Sequence, residues 1–230
     1  MRDLKERIEM KQRGDSMPRR DQPSLLAALS GVFAVLSEVF LEPEADVKIR
    51  LGEILNQCPA HCPGLDGLPA ALAGMMRNCD PPQHQAVEYV RLFLHGSGNP
   101  TVHPYESVYT HGRLMAPECL EDLRALHEAA GIRPRTGVSL PPDHLGLELE
   151  FLAYVLERVS GSDGAEAQGW QVIAETLLRR HLIPFGRHFV RRMEEAKPHL
   201  YYAFAGEALV HGLHACTLVL GLDTEYAEAP

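Results

Sequence analysis

The sequence predicts an all-α protein, a single helical bundle of about ten helices. Three observations carry that expectation. Apolar residues recur at helical spacing in one segment after another, most clearly at Leu145, Leu149, Leu152 and Leu156. No run alternates apolar and polar residues with a period of two, and β-branched residues are sparse. Proline and glycine punctuate the chain at intervals that suit helices of three to five turns. With 230 residues, 45% of them hydrophobic and 23% charged, the chain can fill one sizeable core.

Residues 1–22 are charged and poor in apolar side chains, and read as a tail or frayed helix ahead of one helical domain over 23–230. The periodic sequence begins only after Met17, which makes that residue a candidate start of the chain. Arg19-Arg20 followed by the apolar run Leu25–Leu36 superficially resembles an export signal. Asp21, Gln22 and Pro23 interrupt it, no small-residue cleavage site follows, and the spacing Leu25, Leu29, Val32, Leu36, Val39 continues past it as in a core helix. A first helix is thus expected over about 23–41, ending before Pro43. Others follow over about 44–57, 66–78 and from Pro81-Pro82 to Leu94. Residues 95–104 read as a loop.

The next helix is expected over about 117–130, with Leu120, Leu123 and Leu126 on one face and Gly131 as its C-terminal cap. After a Pro/Gly-containing loop at 131–141, helices are expected over about 142–159, 166–182, 184–195 and 199–221. The last is apolar on most faces and reads as central, bracketed by Pro198 and Gly221. The segment nearest to a membrane span is Ala208–Leu222, too short and carrying His211 and His214, so no membrane insertion is expected.

The net charge of −9 argues against a nucleic-acid surface and suits a basic peptide. Five cysteines, an odd number, read as reduced thiols in the cytoplasm. The Cys58, His61, Cys62 cluster offers soft ligands, but no second tight pair follows it. His211 and His214 share a helix face without the glutamates of a di-iron bundle. There is no glycine-rich phosphate loop and no G-x-S-x-G elbow. Asp143 and His144 have no evident nucleophile beside them. The sequence therefore predicts no catalysis, no cofactor and no metal.

Three segments stand out. In Glu88-Tyr89-Val90-Arg91-Leu92-Phe93, residues Tyr89, Leu92 and Phe93 share one helical face, as core packing would have it. In Pro104-Tyr105-Glu106-Ser107-Val108-Tyr109, the two tyrosines are four apart and would point the same way on a helical turn. In Pro142-Asp143-His144, aspartate is a favoured N-cap for the helix that follows, facing the positive end of its dipole. Glu148 and Glu150 lie two apart and so on different faces.

Together these segments resemble the TorD/DmsD/NarJ family of cytoplasmic chaperones, over roughly residues 25–220 and most strongly over 86–156. Gly131-Ile132 and His181-Leu182-Ile183-Pro184-Phe185 extend the likeness, while His127 and Phe185 stand where tyrosine and tryptophan are commoner. The resemblance implies a TorD-like bundle and a cytoplasmic chaperone. Such a protein binds the twin-arginine signal peptide or the apo catalytic subunit of a molybdenum-cofactor oxidoreductase before its export or assembly. It implies a client-binding set of Tyr89, Leu92, Phe93, Tyr105, Glu106, Ser107, Tyr109, Asp143, His144 and Glu148, with Asp143 available to a client arginine. The chain could be a monomer or a domain-swapped dimer. The alternatives are a small helical metal-binding protein using Cys58, His61 and Cys62, and a non-catalytic helical adaptor.

Overall fold

Two 20-residue helices that are apolar on most sides organise the structure, a computed structural model that describes residues 22–41, 47–57, 67–79, 82–94, 100–133 and 140–222. In chain order the helices are α1 Gln22–Leu41, α2 Lys48–Gln57, α3 Gly67–Arg77, α4 Pro82–Tyr89, α5 Glu106–His111, α6 Pro117–Ala129, α7 Leu145–Gly161, α8 Gly164–Leu177, α9 Ile183–Glu195 and α10 Leu200–Val219. The described residues contain no strand, so the all-α expectation holds. Residues 1–21 and the Cys58, His61, Cys62 cluster lie outside the described residues.

The central pair is α1 against α7. Val32, Phe33, Val35 and Leu36 of α1 and Leu145, Leu149, Leu152, Val155 and Leu156 of α7 are fully buried. Ser30 Oγ donates to Ala153 O at 2.8 Å across the pair. Gly146 allows the close approach, since a Cβ there would lie 2.4 Å from Leu41 Cγ. Helix α10 packs on α3, α1 and α9, with Gly206 and Gly212 against Met193 and Phe33. Helix α8 packs on α7, α6 packs on α8, and α5 sits on α9.

Helix α1, not the 208–222 segment, is the one described helix long and apolar enough to cross a membrane, with a mean hydropathy of 2.0 over its best window. Most of that window is buried against protein, as in a core helix.

Helix α4 closes in a π turn over Val90–Leu94 and so ends where the sequence expectation ends it. One predicted boundary shifts. Instead of stopping ahead of Pro184, the chain stays helical from Gly164 to Glu195 through a second π turn, Leu178–Leu182. Pro184 has no N–H to give to the carbonyl four residues back, and Ile183 N–H bonds to Leu178 O, five back. The predicted glycine stop of α6 is a Schellman cap: Gly131 has φ +70°, Ile132 N–H donates to His127 O at 2.8 Å and Gly131 N–H to Glu128 O at 3.0 Å.

Candidate functional site

The two sequence segments that stand 36 residues apart meet in space. Tyr105 and His144 form an isolated antiparallel bridge, flanked by Glu106 N–H to Asp143 O at 2.9 Å and Leu145 N–H to Pro104 O at 2.8 Å. The Tyr105 and His144 rings meet edge-on, 5.1 Å between centroids. This short stitch fixes the starts of α5 and α7 relative to each other.

The capping is crossed. Helix α7 begins at Leu145, and its N-cap is His144, whose Nδ1 accepts from Gly146 N–H at 3.2 Å. Contrary to the sequence expectation, Asp143 therefore does not cap the helix that follows it. Its Oδ2 accepts from Ser107 N–H at 3.2 Å in the first turn of α5. The reason is the bridge: it turns the Asp143 carboxylate toward α5 and leaves the next residue at the mouth of α7.

Beneath the stitch lies a buried polar cluster. Glu106, Ser107, Asp143, His144, Glu148 and His181 are each at most 3% exposed. Glu106 Oε2 is its centre, 2.9 Å from His181 Nδ1 and 3.1 Å from Cys119 Sγ, which donates to it. Asp143 Oδ1, both oxygens of Glu148, Ser107 Oγ and His181 Nε2 have no hydrogen-bond partner among the described residues. Burial, reinforced by Glu106 and Asp143, holds the Glu148 carboxyl well above the usual carboxylate range, which favours its neutral form. Burial also pushes the His144 imidazole down to about 4, which keeps Nδ1 free to accept. Glu150, two residues beyond Glu148, is exposed on the opposite face.

The aromatic residues sit elsewhere. Tyr89, Leu92 and Phe93 are core residues. Tyr89 donates to Phe40 O at 3.0 Å, and Phe93 stacks on Phe189 and meets Phe40 and Tyr202 edge-on. Tyr105 and Tyr109 do not point the same way, because Tyr105 is extended and precedes α5. Tyr105 is half-buried against His144, and Tyr109 tilts against Phe185. The residues predicted as one set thus occupy two places: a polar cluster under the stitch, and an aromatic core around Phe93 and Phe189.

Sequence reasoning missed two features. Cys119 and His181 join Glu106 from separate elements, and no spacing in the chain could announce that. Glu88 and Arg91 form a clasp: Arg91 bonds Glu88 at 2.6 and 2.7 Å, Glu88 accepts from His199 N–H at 2.8 Å, and Arg91 reaches Ala196 O and Lys197 O. Burial pushes the Glu88 carboxyl up, but Arg91 and the His199 N–H outweigh it and hold it below its usual range. The clasp ties α4 to the α9–α10 turn.

Residues 62–191, which include the stitch, the polar cluster and the first of the aromatic segments, match the family described as the nitrate reductase delta subunit. The chain belongs to that family. Among members and relatives of the nitrate reductase delta subunit family, it is 31% identical over 176 residues to the chlorate reductase assembly chaperone protein of Ideonella dechloratans, covering 76% of this chain and 79% of that one. It is 29% identical over 193 residues to the selenate reductase assembly chaperone protein of Thauera selenatis, covering 82% and 86%. A shorter stretch of 70 residues is 33% identical to the chaperone protein TorD of Vibrio cholerae, covering 30% and 31%. These relatives are named as chaperones, not as catalysts.

Proposed function

We propose that this chain is a cytoplasmic assembly chaperone. It binds the twin-arginine signal peptide, the apo catalytic subunit, or both, of a molybdenum-cofactor oxidoreductase, and holds that client until it is ready for export or assembly. The observation that carries the reading is the likeness, over three quarters of the chain, to an assembly chaperone of chlorate reductase.

The geometry supports a particular division of labour. Tyr89, Leu92 and Phe93 position the site from the core and do not touch the client. Tyr105, half-buried at the stitch, is the aromatic contact, with the exposed Leu114, Met115 and Leu140 in the flanking segments available to an apolar stretch of the client. Asp143 receives a client arginine through Oδ1, which has no partner among the described residues. A guanidinium brings a planar fork of donors that suits such an oxygen. Reaching it requires the stitch to loosen, and a handful of hydrogen bonds at about 1 kcal/mol each is within the range of local opening. Glu106, Ser107, His144 and Glu148 hold the two helix starts that frame this opening.

Capture from the native cytoplasm tests the proposal. Tagged wild type and a folded Asp143→Ala/His144→Ala variant are compared, and retained proteins are identified by mass spectrometry. Enrichment of a molybdenum-cofactor enzyme precursor by the wild type, lost in the variant, is expected. Identical sets of proteins with both would reduce the Asp-His element to a structural one and favour a general helical adaptor.

A further inference from the structure

Glu106 from α5, Cys119 from α6 and His181 from the π turn ahead of α9 converge at one buried point. Their ligand atoms all lie within 4.8 Å of one another. Glu106 Oε2 is 2.9 Å from His181 Nδ1 and 3.1 Å from Cys119 Sγ. One sulfur, one imidazole nitrogen and one carboxylate oxygen make a donor set that zinc and its neighbours accept. Donor atoms about 2.0–2.3 Å from a tetrahedral ion lie about 3.3–3.8 Å apart, so only small side-chain adjustments separate this cluster from a coordination shell.

A second observation points to a cation independently. Glu148 is 1% exposed, and neither of its oxygens has a hydrogen-bond partner among the described residues. The charges of Glu106 and Asp143 act on it, although its oxygens are not among the donor atoms that converge with Glu106. Burying interacting carboxylic groups is costly unless one stays protonated or a nearby cation offsets them.

We propose that Glu106, Cys119 and His181 form a three-ligand binding site for a divalent transition metal of the zinc class, with water as the fourth ligand. Loading the metal sends the Cys119 thiol proton to solvent, while His181 binds through Nδ1 and carries its proton on Nε2. The metal competes with that thiol proton, so affinity rises with pH. The bound ion would lock α5, α6 and the π turn together beside the Tyr105–His144 bridge. The site uses none of Cys58, His61 and Cys62, and the metal alone is the probe, so its failure leaves the chaperone reading standing.

The test uses the full chain, stripped with a chelator and titrated with cobalt(II) and with zinc(II). Cobalt is expected to give a thiolate-to-metal charge-transfer band saturating at one ion per chain. Zinc should displace it, and zinc binding to the stripped chain should release about one proton, read by calorimetry in buffers of different ionisation enthalpy. The band should vanish in Cys119→Ser, weaken at least tenfold in apparent affinity in Glu106→Gln, and survive in the Cys58→Ala/Cys62→Ala double variant. A folded wild type without the band overturns the proposal, as does a band that survives Cys119→Ser or is lost with Cys58 and Cys62. If Cys119→Ser does not fold, X-ray absorption of the zinc-loaded wild type decides. One sulfur with nitrogen and oxygen neighbours is expected, and two or more sulfurs contradict it.

Discussion

Asp143 caps a helix that begins 37 residues before it: its Oδ2 accepts the Ser107 N–H at 3.2 Å, while the helix that follows is capped by His144. One carboxylate thus joins two loops that the chain separates, and its second oxygen, Oδ1, has no partner among the described residues.

Replacing Asp143 separates the cap from the charge. Asp143→Ala should cost about 0.5–2 kcal/mol, the usual cost of a lost N-cap. Asp143→Asn, which keeps an acceptor oxygen, should cost less than half of that. Urea unfolding with an unchanged slope measures both. Both variants should lose client binding, because both lose the charge offered to a guanidinium.

Glu148 should make the protein less stable as pH rises. Its ordinary value is 4.5, and burial together with Glu106 and Asp143 raises it in the folded state. Above pH 4.5 the unfolded chain has released a proton that the folded protein still holds. Stability therefore falls from there up to the raised folded value and is level beyond it. Glu148→Gln keeps the shape without the titration. Its stability relative to wild type, measured by urea unfolding of chelator-treated protein at a series of pH values, should grow across that window.

His144 has the opposite sign. The unfolded imidazole takes a proton below its ordinary 6.5, while the buried one resists until about 4. Its contribution is complete above pH 6.5 and is lost as pH falls toward 4. His144→Asn, which preserves a capping acceptor, should flatten that acid limb in the same unfolding series.

Gly146 tests the packing on which the site rests. A Cβ there would lie 2.4 Å from Leu41 Cγ at the α1–α7 contact. Gly146→Ala should cost about 1–3 kcal/mol by overpacking, seen as a lower urea midpoint.

The all-α fold was legible in the sequence because periodicity reports which face of a helix is buried, and α1, α7 and α10 have long unbroken patterns. Gly131 and Gly221 were legible as stops because each adopts the left-handed turn that a Schellman cap requires. What was not legible came from pairing across the chain. Nothing in Asp143-His144 tells a reader that Ser107 will take the carboxylate, and nothing around Cys119 announces His181. Tyr89 and Phe93 read correctly as one face, but only the structure shows that this face meets Phe40, Phe189 and Tyr202. The π turn at Leu178–Leu182 was hidden because Pro184 signals a break equally well as a shift in register.

The most direct test of the central claim is a binding titration of the full chain with the twin-arginine leader and with the apo catalytic subunit of a molybdenum-cofactor oxidoreductase from the same organism, against folded Asp143→Asn. Saturable binding of one or both by the wild type, weakened at least tenfold in the variant and absent for a leader with both arginines replaced by glutamine, is the predicted result where the leader is gripped. For the apo subunit, the same loss in the variant is predicted. No binding to either client by folded wild type, or equal binding by Asp143→Asn, would contradict the account.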